Sequence, residues 1–540
     1  MTVYVEAAGV RSVLAALDRP CYVVEAGGRV GVSADRPGQG SGARILAVAP
    51  PVDVRNLGAS AFLDRHRLRH PYMAGSMAAG ISSVELVTAL AHAGHLASFG
   101  AAGLAADRVE TAVRRLRREL PDLPWASNLI HSPAAPRAER DTVEVYLRNG
   151  VTCVEASAFI APTRELVRYR ATGLRSAPDG GVLAGNRVIA KVSRAATAES
   201  FLRPAPAELV ADLVADGRLT PEQAALAARV PLADDITVEA DSAGHTDRRP
   251  LVTQLPLIIA LRDREARSGN PGGTVAIGAA GGIGTPQAAF AAFAMGAAYI
   301  VTGSINQGCL ESGTSPQVKA LLATADIADC TMAPAADMFE IGAEVQVLKR
   351  GTLFPGRAAW LHRLYRAHSG LDDLPVADRR RLEEQILRRP VEEAWLDVAG
   401  YLRRHRPGEA DRADRDPKAR MALLFRWYLG LSSRWATSGD PGRTGDYQIW
   451  CGPSMGAFND WTRGSSWEDP RNRRAADVAD ALLHGAAYHS RLAHLRLAGV
   501  RLPAWCTAYA PTDGVGPGHA PAHTTPSAAP APRTPRPVPA

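Results

Sequence analysis

From about residue 71 onward the chain repeats one pattern: a short apolar run, a turn, then a stretch with apolar residues at helical spacing. Apolar runs at 71–75, 96–99, 125–130, 152–155, 188–192, 236–239, 274–278 and 298–301 predict eight strands. Segments 83–93, 104–118, 142–149, 250–267 and 286–295 between them predict amphipathic helices. Eight such units over roughly 230 residues predict an α/β fold, a TIM (β/α)8 barrel, whose usual size is ~250 residues. A doubly wound sheet alternates in the same way. Its GxGxxG fingerprint after a first strand is missing, and Gly281-Gly282-Ile283-Gly284 has the wrong spacing and comes too late.

Other patterns flank the barrel. Residues 1–70 predict a small β-containing module, with two strands around the Gly27-Gly28 turn and a Gly/Pro/Ser-rich loop at 35–42. The barrel is assigned to 71–329. Its longest interruption, about 195–235, carries helical signals of its own. An excursion over the barrel mouth is expected there, either as a lid or as a neutral insertion. Residues 330–510 read as mainly helical, at 358–367, 378–387, 421–428 and 475–498. Eight of the nine tryptophans lie beyond residue 359, which marks a second subdomain. They read either as core filler or as a wall for a long acyl chain. Residues 511–540 hold nine of the 39 prolines and no Phe, Tyr or Trp, so a disordered tail is expected.

Composition narrows the class. Hydrophobic residues make up 46% and charged residues 22%, as in soluble enzymes, and no apolar run reaches the ~18 residues of a membrane span. The first residues, with Glu6 among them, lack a signal-peptide pattern, so a cytoplasmic protein is expected. Six scattered cysteines without a CxxC pair predict reduced thiols, with no zinc site and no disulfide framework. The net charge of +7 permits a nucleic-acid partner, but the basic residues are mostly interleaved with acids. The densest block, Arg114-Arg115-Leu116-Arg117-Arg118, has helical spacing and reads as a solvated helix face or a landing patch for an acidic partner. No nucleic-acid or membrane partner is expected.

The chemistry-bearing residues fall where barrel strands end. Gly281-Gly282 follows the seventh predicted strand, and Gly303-Ser304 follows the eighth. Backbone N–H groups exposed at such turns attract a phosphate dianion, and barrels often place a phosphate site in these two loops. His245 follows strand six in Asp241-Ser242-Ala243-Gly244-His245-Thr246 and can give or take a proton near neutral pH. Glu239 and Asp241 either orient this loop and its histidine or only bond within the loop. Asn128 ends strand three, where an amide can meet the polar edge of a flavin. Lys191 lies on an apolar strand and needs compensation there. It either neutralises negative charge on a reduced flavin or pairs with Glu155. Met73-Ala74-Gly75 closes strand one with a small surface on which a flat ring can lie.

These stretches carry a family resemblance. The barrel resembles the FMN-dependent nitronate monooxygenase and enoyl-ACP reductase superfamily. Within it the chain is most similar to the PfaD family of trans-acting enoyl reductases of polyunsaturated fatty acid and polyketide biosynthesis. The matching stretches are 72–81, 128–133, 190–194, 239–247, 331–340, 447–453 and 456–459, so the resemblance spans about 20–510. Ala243 departs from it, since a second glycine is common at that position. The resemblance implies tightly bound FMN, NAD(P)H as its reductant, and hydride delivery to the β-carbon of an enoyl thioester on an acyl carrier protein. It implies a flavin site built from Met73, Ala74, Gly75, Asn128, Lys191, Asp241, Ser242, Gly244, Gly281, Gly282, Gly303 and Ser304. It also implies that His245, with Lys191, does catalytic work by protonating the α-carbon or polarising the thioester carbonyl. No metal is implied, and a homodimer is compatible. Two competing readings are a nitronate-type flavin oxygenase and a non-catalytic flavin-binding scaffold of a synthase complex.

Overall fold

The computed structural model describes residues 2–131 and 136–511. The predicted disordered tail therefore lies outside the described residues, save Pro511. All eight predicted barrel strands form, and in chain order they are Tyr72–Ala74, Leu96–Phe99, Ala126–Ile130, Cys153–Ser157, Arg187–Val192, Asp235–Glu239, Ala276–Ala280 and Ile300–Thr302. They close into one parallel barrel in which the first strand pairs with both the second and the eighth. The helices of the repeat pack outside it; two of them are Val84–His92 and Leu251–Arg267. The fold is the predicted TIM barrel.

Strand six shows how the pleat organises the interior. Alternate residues point to one face of a strand, so Asp235, Thr237 and Glu239 form a polar column from the floor of the barrel to its mouth. At the floor, helix Ser60–His66 plugs the barrel. Its Phe62 stacks on Tyr299 with ring centroids 3.9 Å apart, and Tyr299 Oη meets Thr237 Oγ1 at 2.8 Å. Asp235 is fully buried, with His66 Nε2 at 2.7 Å and the Arg65 guanidinium beside it. Above this floor Met73, Leu96, Ala126 and Ile189 fill the interior.

The segment expected over the mouth does not go there. Its helices Ala195–Leu202, Ala207–Ala215 and Pro221–Ala227 bury Phe201, Leu213 and Leu226 against the flank of the barrel. The second and third rest on the outer helix Arg164–Ala171. Their apolar faces are satisfied by that helix, which leaves nothing to hold them across the opening.

The mouth is covered instead by chain from beyond the barrel. Strands Cys330–Pro334 and Glu344–Leu348 pair antiparallel, and Gly244–His245 adds to the second as a third, two-residue strand. The expected loop at His245 is thus edge-paired backbone. Helices Phe354–Ala367, Val391–His405 and Pro417–Ser438 pack around their own apolar cluster. The last long helix, Ala475–Leu497, returns to the barrel and the N-terminal module. There Gly485 lies against Pro286, and the buried Arg491 donates to the carbonyls of Leu14 and Ala16. The N-terminal module has the predicted Gly27-Gly28 hairpin, with φ of +57° and +73° at its turn, and an additional third strand, Arg44–Ala49. The arginine block lies on helix Ala106–Glu119, where Arg114 and Arg115 pair with Glu110, Glu119 and Glu85. It is a solvated, ion-paired face. No helix among the described residues is long and apolar enough to cross a membrane.

Candidate active site

Three charged side chains face inward at the top of adjacent strands four, five and six: Glu155, Lys191 and Glu239. Lys191 Nζ lies 3.0 Å from Glu239 Oε1. Of the two readings for Lys191, pairing with Glu155 is replaced by pairing with the carboxylate one strand further on. Burial works against the Lys191 charge, but Glu239 and then Glu155 outweigh it and hold the ammonium above its ordinary value. Glu239 Oε1 also accepts from Ser242 Oγ at 3.1 Å, which ties the strand end to the following loop. Glu155 is fully buried; its Oε2 accepts from the Ser76 amide at 2.7 Å, while its Oε1 has no partner among the described residues. Gly75 closes this corner, since an added Cβ would stand 2.9 Å from Val301 and 3.5 Å from that free oxygen.

His245 stands on the other side of the opening, with its side chain 41% exposed and therefore reachable by a ligand. Its Nε2 meets Asp337 Oδ2 at 3.0 Å. Burial lowers the tendency of the ring to protonate, but Asp337 more than offsets this and raises the imidazole above its ordinary value. The same contact holds Asp337 below the usual carboxylate range against the opposing effect of burial. Neither Glu239 nor Asp241 bonds the histidine. Asp241 Oδ1 accepts from Gln346 Nε2 at 3.3 Å, and its amide donates to Arg249 O. Gly244, at φ +75°, lets the chain turn beside Trp450, whose Cδ1 lies 4.0 Å from where a Cβ would stand. Trp450 is thus the tryptophan at the mouth, while Trp360 and Trp395 are buried core of the helical part. Core filler is the right reading for those two.

The glycine turns form a cradle. Gly281, at φ +91°, crosses so close to strand six that a Cβ would lie 2.8 Å from Asp241 O. At Gly282 and Gly303 a Cβ would meet nothing within 4 Å, so open space faces both turns. No acceptor among the described residues takes the amides of Gly282, Gly303 or Ser304. Ser304 is buried, and its Oγ accepts from the Gly452 amide at 3.0 Å, so this hydroxyl anchors the covering chain. Unsatisfied amides around open space fit a phosphate dianion. The free carboxylate oxygen, the ammonium and the small Gly75 corner fit the flat, polar-edged ring system that such a phosphate would carry.

Three predicted residues offer less than expected. Met73 is fully buried in the barrel interior, and Ala74 faces the surrounding helices, so both present only backbone to the mouth. Asn128 is buried too, and its Nδ2 is committed to Glu155 O at 3.1 Å and Ser157 Oγ at 3.0 Å. The site also holds residues to which no role was given from sequence: Asp337, Gln346, Gly452 and Ser76. Asp337 lies in the 331–340 stretch, 92 residues from its histidine, and a motif match alone carried no pairing between them.

Residues 1–51 match the family described as the N-terminal domain of fatty acid synthase subunit PfaD. Residues 368–447 match the inserted helical domain of [acyl-carrier-protein] S-malonyltransferase. The chain is 47% identical over 456 residues to a polyunsaturated fatty acid synthase component of Thraustochytrium sp., covering 83% of this chain and 30% of that protein. It is 41% identical over 444 residues to polyketide biosynthesis protein PksE of Bacillus subtilis, covering 82% of this chain and 58% of that one. The chain thus spans less than two thirds of the length of these relatives. A crystal structure of the enoyl reductase domain of MlnA, from the macrolactin cluster of Bacillus amyloliquefaciens, superposes with a TM-score of 0.78 at 36% identity. That superposition covers 83% of this chain and all of that domain.

Proposed function

Since the chain belongs to the PfaD family of enoyl reductases of polyunsaturated fatty acid and polyketide synthases, we propose that it reduces the α,β-double bond of enoyl thioesters carried on an acyl carrier protein. FMN is the proposed cofactor and NAD(P)H its reductant. The amides of Gly282, Gly303 and Ser304 hold the phosphate, and Gly75, Lys191, Glu155 and the Asp241–Ser242 turn surround the ring system. When bound, FMN supplies hydride to the β-carbon of the substrate.

The residues of the chain supply the proton and the positioning. Reduction of the double bond requires a proton at the α-carbon besides the hydride. Asp337 holds His245 Nε2–H, which leaves Nδ1 as the atom that delivers this proton. Lys191, kept charged by Glu239 and Glu155, supplies positive potential on the ring side of the mouth. The observation that carries this reading is the His245–Asp337 pair. A raised imidazole is protonated to higher pH, which suits an acid; a nitronate-type oxygenase needs the same residue neutral, as a base that takes a proton from carbon.

The test is NAD(P)H consumption with a crotonyl-loaded carrier protein, run beside a nitronate under oxygen. Reduction of the crotonyl thioester is the expected result. Turnover of the nitronate alone would select the oxygenase, and a protein that stays colourless after FMN loading would overturn the cofactor assignment. A flavin-loaded parent that reduces neither substrate would point to the scaffold reading, and full reduction by His245→Ala would point to another acid.

A further inference from the structure

A cavity of about 320 Å³ lies in the helical part, outside the barrel. Arg388, Arg389 and Arg443 line it together with Trp427, Tyr428, Leu431 and Trp435. Its charges do not balance. Arg388, Arg443 and the nearby Arg357 all converge on one carboxylate, Asp446, which is fully buried and also accepts from Tyr428 Oη at 2.6 Å. Arg389 has its own partner, Asp397, at 2.7 Å. Arg443 also donates to the carbonyls of Ile386 and Leu387, and Arg388 to that of Gly442, but carbonyl dipoles do not cancel a formal charge, so the cavity wall carries more guanidinium than carboxylate.

Two further observations point the same way. Trp427 Nε1 is buried without an acceptor among the described residues, a donor that a bound acceptor would satisfy. The chain reaches the arginines through a π-helical turn, Leu382–Leu387, and then places Arg388 in the left-handed region at φ +58°. Wide turns and left-handed non-glycine residues concentrate at ligand sites. The walls also limit the ligand. Among the described lining side chains there is no Asn, Gln, Ser, Thr, Asp or Glu to read a nucleobase edge or sugar hydroxyls. Arg443 stacks 4.3 Å over the Trp435 ring, so cation and apolar surface are presented together.

We infer that this cavity binds a carboxylate carried on an apolar body, of the free fatty acid type, with Arg388, Arg443 and Trp427 Nε1 taking the carboxylate and Leu431 and Trp435 enclosing the chain. It is separate from the barrel mouth and needs none of the residues placed there.

The test is titration of the full chain with decanoate, below its micellar range, followed by tryptophan fluorescence. Saturable quenching is expected, weakened roughly tenfold or more in Arg388→Gln, the scale of a lost charge-assisted hydrogen bond. Leu431→Trp, which fills the cavity, should abolish the quenching, and each variant is judged only with its melting curve unchanged. Arg388→Gln alters a half-exposed side chain, so it keeps the test decisive if the larger residue disrupts folding. His245→Ala should bind decanoate as the parent does. Absence of saturable quenching, equal binding of decanol, displacement by AMP, loss of binding in His245→Ala, or unchanged binding in Arg388→Gln would each overturn the assignment.

Discussion

The two ends of the barrel are built on opposite rules. At the floor, Asp235 is fully buried and held by Arg65 and His66, Tyr299 is closed by Thr237 and Phe62, and the polar groups are spent on one another. At the mouth, among the described residues, Glu155 Oε1 has no partner, Gln346 Oε1 is buried without one and three turn amides lack acceptors, while His245 is partly open to solvent. The same strand six carries Asp235 at one end and Glu239 at the other. Unsatisfied buried polar atoms cost stability; His70 and His95 also leave Nδ1 without a partner among the described residues, beside Asp480 of helix Ala475–Leu497, but facing into the barrel such groups gather at the mouth, where a ligand is to complete the structure. Barrels divide stability and chemistry between their ends in this way.

That comparison breaks if substitutions at the two ends act alike. The largest expected effect is on catalysis. His245→Ala should lower crotonyl-carrier reduction on the order of 10²–10⁴-fold, the range for a lost general acid, with the melting temperature unchanged because the side chain is partly exposed. Asp235→Ala should do the reverse. It leaves Arg65 and His66 facing a buried void, at a cost of about 3–5 kcal/mol in denaturant unfolding, while any protein that remains folded keeps its rate per bound flavin. A destabilised His245 variant, or a stable but inactive Asp235 variant, would remove the division.

The floor-to-mouth layout was legible in the sequence as far as periodicity reaches. Each of the eight strands showed as a short run rich in apolar residues, even strand six, where Asp235, Thr237 and Glu239 alternate with Ile236 and Val238, because a parallel strand keeps its outer face apolar against the helices. Strands seven and eight begin two residues later than their apolar runs, because Thr274 closes a 3-10 turn and Ala298-Tyr299 is buried before its strand starts. His245, Lys191 and the two glycine turns, the residues of the proposed site, were visible because they stand at the strand ends where barrels commonly carry their chemistry. Asp337, Gln346 and Gly452 were not, because Gln346 and Asp337 are brought in by the hairpin of Cys330–Pro334 and Glu344–Leu348 and Gly452 by its amide on Ser304 Oγ, and no local pattern encodes a contact between remote segments. The excursion at 195–235 lies on the flank and not over the mouth, for a related reason. Its helical pattern shows an apolar face but not which surface, flank or mouth, will cover it.

Gly303→Ala sharpens the comparison at an intermediate scale. The added methyl meets nothing within 4 Å, so stability should stay within about 0.5 kcal/mol of the parent. The same methyl occupies the space facing the free amides. FMN affinity, followed by flavin fluorescence on dialysis, should fall roughly tenfold or more as the phosphate loses hydrogen bonds to its charge. Unchanged affinity would show that the turn after strand eight does not hold the phosphate.

The smallest effect is expected at the half-exposed His245–Asp337 pair. Asp337→Asn keeps a hydrogen-bonding group beside Nε2 but removes the charge that raises the imidazole. An acid works while protonated, so the rate falls as pH rises through the imidazole value, and a lower value moves that fall to lower pH. The high-pH limb of the rate profile should therefore shift downward in the variant, with a loss of only about two- to fivefold at the low-pH plateau, the scale of an exposed ion pair. A group that merely shaped the loop would lower the plateau without moving the limb. A limb that moves upward, or stays in place while the rate falls, would mean that His245 does not act as the acid and that the oxygenase-type role as a base must be reconsidered.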